Sequence, residues 1–218
     1  MHYDTKGKVI RQAAMWKDLF IYRKSDVLYQ MTVVFCTRFL PAYGDRTVDQ
    51  MVQAARSGKQ NIVEGSEAGS TSSETELKLL NVARASLQEL REDYLDYLKS
   101  HSLQVWDNRH PRYSRMLAFC HSHNDFDDYK QLCYKLDNEE FANMALTLCH
   151  QTDTMMTSYL ARLENRFVTE GGIKERMHAA RTGYREGVDS RLRELEDENR
   201  RLKEEVQRLH SIIEHSIQ

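Results

Sequence analysis

Apolar residues recur every three or four positions in five stretches of the chain, which is the spacing of one face of an α-helix. The stretches cover about residues 9–20, 25–40, 46–64, 73–98 and 138–170. The clearest stripe consists of Leu77, Leu80, Ala83, Leu87, Leu90, Tyr94 and Leu98. Because exposing such stripes to water is unfavourable, the four longest stretches predict an all-α protein built as an up-down four-helix bundle.

Sequence signals predict where these helices begin and end. Ser25 is a predicted N-cap, and Pro41 ends the same helix because proline disfavours helical geometry in the residue before it. The second helix is predicted to end near Glu64, with a break over residues 65–72. Overlapping capping boxes predict the next start, Thr71-x-x-Glu74 and Ser73-x-x-Glu76.

These boundaries divide the chain into four predicted segments. They are an N-terminal helical extension at 1–23, the bundle at 24–170, a suffix segment at 171–187 and a coiled coil at 188–218. Within the bundle, residues 100–137 lack a long periodic stretch and are predicted to form an irregular insertion with one or two short helices. Gly183 and Gly187 are predicted to loosen the joint between the suffix segment and the coil.

The last segment follows a strict seven-residue repeat. Its a and d positions form a predicted seam of Val188, Leu192, Leu195, Asn199, Leu202, Val206, Leu209 and Ile213. Leucine at d, β-branched residues at a and one a-position asparagine favour a parallel two-stranded coiled coil.

Charged residues beside the seam fit the same parallel register. Three pairs would form between the two copies, namely Arg191 with Glu196, Glu198 with Lys203 and Glu205 with His210. Exposed pairs of this kind set orientation more than strength. Two alternatives stay open: the tail docks on its own bundle, or it pairs with a different protein.

The second helix carries residues that are unusual inside a helix. Gly58 costs about 1 kcal/mol relative to alanine, so we expect an offsetting close approach to the small residues of the next helix. Asn61 and Glu64 then lie near the turn, where Glu64 is predicted to accept a hydrogen bond from Arg84 or from the start of the next helix. We interpret Gly58, Asn61, Glu64 and Arg84 as a buried structural clasp, with a functional polar site as the alternative.

Two adjoining motifs in this region resemble a known family. They are DQMVQAARSGKQNIVEG at 49–65, with its N-I-x-E-G helix end, and SSETELKLLNVARASLQEL at 72–90, with A-R-x-S-L-x-E-L. The pattern is similar to the four-helix-bundle family of 23S rRNA intervening-sequence proteins, which includes the accessory variability determinant of diversity-generating retroelements. EGGIKERMHAAR at 170–181 resembles the suffix that follows the bundle in one branch.

The resemblance covers roughly residues 24–181 and carries expectations about function. It implies a non-enzymatic bundle that assembles into a ring, typically of five subunits, and in the accessory branch a basic surface that engages a reverse transcriptase and its template RNA. The matching positions are Arg56, Ser57, Asn61, Glu64, Gly65, Arg84 and Ser86. A five-membered ring and a two-stranded coil do not share a symmetry. Either the ring is absent, the tails pair between rings, or the tail meets another protein.

Charge is uneven along the chain. Residues 1–66 carry a net charge of +4 and residues 67–170 carry −6, within a total of −2. Arg46, Arg56 and Lys59 recur on the second helix in the positive segment, so they are the candidate contacts to nucleic acid, with a solvated helix face as the alternative. The first hypothesis is a nucleic-acid-associated oligomeric accessory protein. The second is a protein-only oligomerisation scaffold that uses the bundle and the coiled coil.

No motif indicates a metal site or catalysis. Cys120, His121 and His123, with Cys133, Cys149 and His150, lack the paired spacing of a zinc site. Glu175-x-x-His178 is a single Glu-x-x-His, whereas a di-iron bundle uses two. We therefore predict a protein that is not an enzyme and holds no cofactor. Cysteines without framework spacing, and apolar runs too short to span a membrane, predict a cytoplasmic protein.

Overall fold

The computed structural model describes residues 15–41 and 46–216, and over these ranges the chain is helical and contains no β-strand. A short 3-10 turn, Trp16–Asp18, precedes eight α-helices: α1 Phe20–Phe39, α2 Arg46–Ala68, α3 Ser73–Ser100, α4 Tyr113–Ser122, α5 Phe126–Lys130, α6 Leu132–Lys135, α7 Asn138–Glu170 and α8 Ile173–Ser216. The all-α prediction is confirmed for these residues. Half of the helix predicted over residues 9–20 falls on 9–14, which lie outside the described residues. Over the other half the prediction was wrong, because an extended Leu19 separates the 3-10 turn from α1.

The first helix is longer than its predicted N-cap allows. α1 begins at Phe20, and Ser25 lies inside it, buried, with its hydroxyl donating to the Tyr22 carbonyl at 2.8 Å. The prediction of Ser25 as the cap was wrong because this hydroxyl is satisfied within its own helix. The predicted end is confirmed, since α1 stops at Phe39 and Leu40 before the proline is extended.

The turn between α2 and α3 differs from the prediction in two ways. α2 continues past Gly65 to Ala68, because this glycine serves a close approach between helices: a Cβ here would lie 3.2 Å from Leu80 Cγ. The N-cap of α3 is Ser72, whose Oγ accepts from the Thr75 N–H at 3.1 Å. The capping boxes at Thr71 and Ser73 were therefore each one residue off.

α1, α2, α3 and α7 contribute to one hydrophobic core. Phe35 on α1 lies among aromatic rings, with centroid distances of 5.0 Å to Tyr94, 4.8 Å to Tyr97 and 5.4 Å to Phe141. The predicted α3 stripe is buried from Leu80 onwards. Contacts between these helices therefore join sequence positions far apart along the chain.

α3 runs antiparallel to both α2 and α7. Glu76 near the start of α3 pairs with Arg166 near the end of α7 at 3.2 Å, while Tyr97 near the end of α3 accepts from Asn138 at the start of α7. Ser57 on α2 meets Ser86 on α3 at 3.0 Å. Together with the Gly65–Leu80 approach, this places the end of α2 beside the start of α3.

The insertion contains three short helices, α4 to α6, where one or two were predicted. The segment that leads into it is fixed to α7 by Asn143. This buried amide accepts from the Trp106 N–H at 2.7 Å and donates to the Gln104 carbonyl at 2.8 Å. Glu139 accepts from the Trp106 indole at 2.9 Å. These bonds satisfy backbone groups that have no regular secondary structure to pair with.

Lys24 on α1 joins the insertion from the other side. Its amine is buried and donates to the carbonyls of Cys120 and His123, the latter at 2.7 Å, at the end of α4. Burial lowers the pKa of the Lys24 amine. The last carbonyls of a helix lack partners within it, so this amine both satisfies them and attaches α4 to α1.

The chain divides into two compact units, a helical domain formed by residues 10–172 and a second unit that contains α8. Gly171, with φ of 69°, ends α7, and its N–H donates to the Phe167 carbonyl. Among the described residues, no helix combines the length and apolar character needed to cross a lipid bilayer.

Candidate functional site

The most extended candidate surface is the seam of α8. The helix is unbroken from Ile173 to Ser216, so it passes through Gly183 and Gly187 instead of loosening there. The seam side chains that the structure describes are exposed, with Leu192 at 54%, Leu202 at 56% and Val206 at 55%. Asn199 is exposed beside them, and the side chain of Ile213 lies outside the described part of the chain. α8 thus carries a narrow, exposed apolar stripe.

Most charged side chains beside the seam have no ion-pair partner among the described residues, and the side chain of His210 lies outside them. Arg191 pairs with Glu194 at 2.9 Å, one turn along the same helix. Among the described residues, Glu196, Glu198, Lys203 and Glu205 form no ion pair. They are therefore available to a second helix laid along the seam.

A second candidate surface is a groove on α2. It is lined by Tyr29, Arg46, Asp49, Gln50, Val52, Gln53 and Arg56. Arg46 and Arg56 are exposed, and neither has an ion-pair partner among the described residues. Lys59, the third predicted contact, instead pairs with Asp26 at 3.2 Å and lies 4.2 Å above the Tyr29 ring. Two arginines, with Asp49 between them, remain available for an anion.

The structure brings only part of the predicted clasp together at the contact between α2 and α3. Gly58 lies where α2 and α3 approach closely, since a Cβ there would be 2.6 Å from two atoms of the buried Leu87 side chain. Asn61 donates to the Ser57 carbonyl at 2.9 Å and to the Ser57 hydroxyl at 3.1 Å. The hydroxyl in turn contacts Ser86, so these side chains form a small polar contact between the two helices.

Glu64 and Arg84 do not meet. Glu64 is exposed, and among the described residues its one hydrogen-bond donor is Gln60 on its own helix, at 3.4 Å. Arg84 donates to Asp153 on α7 at 2.7 Å, and Gln88 donates to the same oxygen at 2.9 Å. The predicted pairing was wrong because α2 continues to Ala68 and keeps Glu64 on its outer face.

The ion pair with Asp153 alters the titration of that carboxyl. Burial raises its pKa, but hydrogen bonds from Arg84 and Gln88 and the charges of Arg84 and Arg91 outweigh burial and lower it. A second interhelical carboxylate, Glu76, is 4% exposed and pairs with Arg166. The sequence had indicated only a capping role for Glu76, since nothing local reveals a partner on α7.

The cysteines and histidines do not assemble into a metal site in the described part of the chain, where no three potential ligands cluster. All four cysteines are buried free thiols. Burial raises the pKa of Cys133 to about 11 and that of Cys120 to about 12. The His123 ring stacks on Phe119 with centroids 4.0 Å apart. These groups serve packing, and their thiols are poor nucleophiles near neutral pH.

The insertion also forms an apolar cavity of about 350 Å³ against α7, which sequence reasoning missed. Its lining residues are Trp106, Arg112, Arg115, Met116, Phe119, Leu132, Leu136, Glu140 and Met144. Arg112 pairs with Glu140 at its edge and lies over the Trp106 ring. A cavity of this size and lining can enclose one apolar group.

No protein-family model matches the chain, and neither the curated proteins nor the solved structures contain a significant match. The resemblance to the 23S rRNA intervening-sequence proteins therefore stays a prediction that depends on the motifs at 49–65 and 72–90. The surfaces described above must supply the argument for function.

Proposed function

We propose that this protein is a non-enzymatic oligomerisation scaffold in which α8 pairs two copies of the chain as a parallel coiled coil. The observation that carries the proposal is the exposed seam from Val188 to Leu209 on an unbroken helix. An apolar stripe only two positions per heptad wide suits one partner helix, whereas a helix packed in a globular core needs a wider stripe.

The partner that fits the seam best is a second copy in register. Asn199 meets its own counterpart only when the helices are parallel and unshifted, because any other alignment places it against apolar side chains. The same register brings Glu198 of one copy to Lys203 of the other. Both side chains have no ion-pair partner within their own chain among the described residues, which favours this arrangement.

The units that the coil brings together are helical domains, and we infer that each is an up-down four-helix bundle of α1, α2, α3 and α7. The antiparallel pairings of α2 with α3 and of α3 with α7 support this topology. So does the shared core of the four helices. Short connections between α1, α2 and α3 are typical of such bundles, with the insertion as the one long connection.

Sedimentation of the full chain tests the scaffold proposal. We expect the mass of a dimer that dissociates on dilution. The double variant Leu195→Asn and Leu202→Asn should sediment as a monomer, because it places asparagine at two apolar seam positions. The matched control is Arg193→Asn with Glu204→Asn, which introduces the same residue twice on the outer face of α8 at unchanged net charge and should remain dimeric.

Three outcomes would contradict the proposal. A wild-type monomer at high concentration would leave the seam to a different protein or to the chain's own domain. A pentamer that persists in the seam variant would favour the ring implied by the resemblance. A control that dissociates as readily as the seam variant would show that α8 tolerates no added asparagine, whatever its face.

A second candidate function is binding of structured RNA through the α2 groove, as an accessory to a reverse transcriptase. The specific observation in its favour is that Arg46 and Arg56 line one groove without ion-pair partners among the described residues. RNA affinity should then fall log-linearly as the sodium chloride concentration rises. Arg46→Gln with Arg56→Gln should weaken binding and flatten that dependence.

The control for this experiment uses two other exposed arginines. Arg109→Gln with Arg115→Gln removes the same charge from the insertion. Equal weakening by both pairs would mean that only overall charge matters, and no binding at low salt would leave the protein-only scaffold.

A further inference from the structure

We infer that the interface between two copies begins at Met177, well before the heptads, and runs through Tyr184 into Val188. This inference rests on the parallel dimer proposed above and extends it into the segment that the sequence set apart as a suffix. The partner that covers this surface is the same segment of a second copy.

The first support is the continuity of the helix. Residues 171–187 and 188–218 were predicted as separate segments with a loose joint, but α8 crosses their boundary without interruption, from Ile173 to Ser216. A side chain on the suffix part therefore keeps a fixed angle to the seam. Any stripe that lies on the same side of α8 is continuous with it.

The second support is the spacing of apolar residues before Val188. Met177, Ala180, Tyr184 and Val188 follow one another at intervals of three, four and four residues, which make one repeat of eleven. Eleven residues fill three helical turns, as seven fill two, so this repeat keeps its side chains on the seam side of the helix. Where a repeat of eleven precedes heptads, the left-handed supercoil locally unwinds and the two helices run straighter.

The third support is exposure. Met177 is 55% exposed and Tyr184 is 72% exposed, although both are large and apolar in part. Beside them, a Cβ added to Gly187 would have no atom within 4 Å. Among the described residues, nothing covers the flank of the stripe at Val188.

Charge makes this part of the interface weaker than the heptads. Arg181 and Arg185 flank the stripe on the side away from Gly187, and in a parallel pair each faces its own counterpart. The repulsion is screened by salt. The extension should therefore tighten as salt is added, whereas the heptad part, with opposite charges across the seam, should not.

Engineered cysteines in the full chain test the extension. Four variants are compared with the wild type, whose own cysteines are buried. Leu202→Cys reports the heptads, Met177→Cys and Tyr184→Cys report the extension, and Glu186→Cys on the opposite face is the control. In a glutathione redox buffer, we expect the first three to form disulfide-linked dimers at least ~10-fold more readily than the control, because a paired core position has a high effective concentration.

Each outcome separates the extension from the dimer itself. If Leu202→Cys links while Met177→Cys and Tyr184→Cys behave like Glu186→Cys, the dimer stands and the extension is wrong. If Leu202→Cys does not link, the parallel dimer fails and the extension fails with it. Equal linking at all four positions would show no preferred face and would also overturn the extension.

A second readout does not depend on added cysteines. Tyr184→Ser should weaken the dimer ~10-fold or more in sedimentation, because a buried aromatic ring is lost from each copy. The control is Tyr134→Ser, which removes a comparably exposed tyrosine, at 65%, from the helical domain. An unchanged dissociation constant for Tyr184→Ser would overturn the extension.

Discussion

α7 and α8 are the two longest helices of the chain, and they use their apolar residues in opposite ways. From Phe141 to Cys149 every residue of α7 is buried, including its polar ones, because α1, α3 and α4 all pack against it. On α8 the described seam residues are exposed. The width of the apolar stripe therefore indicates how many helices pack against it. A wide stripe is typical of a helix with several neighbours, and an a/d seam is typical of a helix with one.

The polar side chains of α7 and α8 show the same contrast between partners within the chain and exposure on its surface. The buried polar side chains Asn143, Thr147 and Thr152 of α7 form hydrogen bonds within the chain, as Asn143 does with Trp106 and Gln104. The corresponding polar residue of the α8 seam, Asn199, is exposed and would find its counterpart only on a second copy. The predictions that follow test this contrast between internal and external partners.

The largest effect is expected from Asn143→Ala on α7. The variant leaves the Trp106 N–H and the Gln104 carbonyl without their partner, at a cost of about 2–4 kcal/mol for the two groups together. Urea unfolding followed by circular dichroism measures the loss. Asn81→Ala is the control, because Asn81 is exposed and, in the part of the chain that the structure describes, donates to the Leu77 carbonyl on its own helix and to no other group. Similar losses in both variants would show that the buried hydrogen bonds of Asn143 contribute no more to stability than the exposed hydrogen bond of Asn81.

Asn199→Ile should strengthen an interaction where Asn143→Ala weakens one, because the proposed partner of Asn199 lies on a second copy of the chain. Isoleucine adds apolar contact across the seam and removes the preference for one register, so the dimer should bind ~10-fold tighter or more and larger oligomers should appear. Sedimentation of the full chain measures both. An unchanged mass distribution and affinity would place Asn199 outside any helix–helix contact.

Two glycines should respond to alanine in opposite directions. Gly58→Ala gains helix propensity but drives a methyl group into Leu87, which is buried and confined, so we expect a net loss of about 1 kcal/mol. Gly187→Ala meets open space and should gain up to about 1 kcal/mol of helix stability. Thermal unfolding followed by circular dichroism at a fixed protein concentration compares them. A loss in Gly187→Ala would mean that something covers this residue in solution.

A smaller effect is expected for the ion pair of Arg84 and Asp153. A double-mutant cycle with Arg84→Met and Asp153→Asn should give a coupling of about 0.5–1 kcal/mol at neutral pH, as expected for a partly exposed pair. The pKa of Asp153 is lowered in the folded state, so its stabilising contribution is present above the unfolded pKa and is lost as pH falls through the folded value. The coupling should therefore decrease on acidification.

The smallest effect is expected from Glu64→Gln, which should change the free energy of unfolding by less than about 0.5 kcal/mol in urea. A larger loss would show that Glu64 takes part in the predicted clasp.

Local signals predicted some helices closely and failed where a partner came from far along the chain. The bounds of α7 follow from Asp137 and Glu140, which cap its start reciprocally, and from Gly171 at its end. The true partner of Arg84 lies 69 residues away on α7. No spacing on α2 or α3 could select Asp153 over Glu64, because the choice depends on how three helices are arranged.

The two misread glycine regions have a related explanation. Gly65 was taken as a helix end, but it stays helical because its lack of a side chain lets α2 approach Leu80. Gly183 and Gly187 carry a local penalty of about 1 kcal/mol each, which a long helix can absorb. The seam, in contrast, could be predicted from the sequence because its repeat depends only on residues within the same helix.

If α8 pairs two chains, the groove with Arg46 and Arg56 is present twice in one particle, which changes how tightly it can bind a polyanion. Two arginines alone would hold a polyanion weakly. A dimer carries two such grooves, so once one is occupied the other meets the same strand at an effective concentration of about millimolar. Doubling the neutralised phosphates also doubles the logarithmic slope of the salt dependence. The coiled coil would thus combine two weak contacts into one high-avidity interaction, and a modest rise in salt concentration would abolish it.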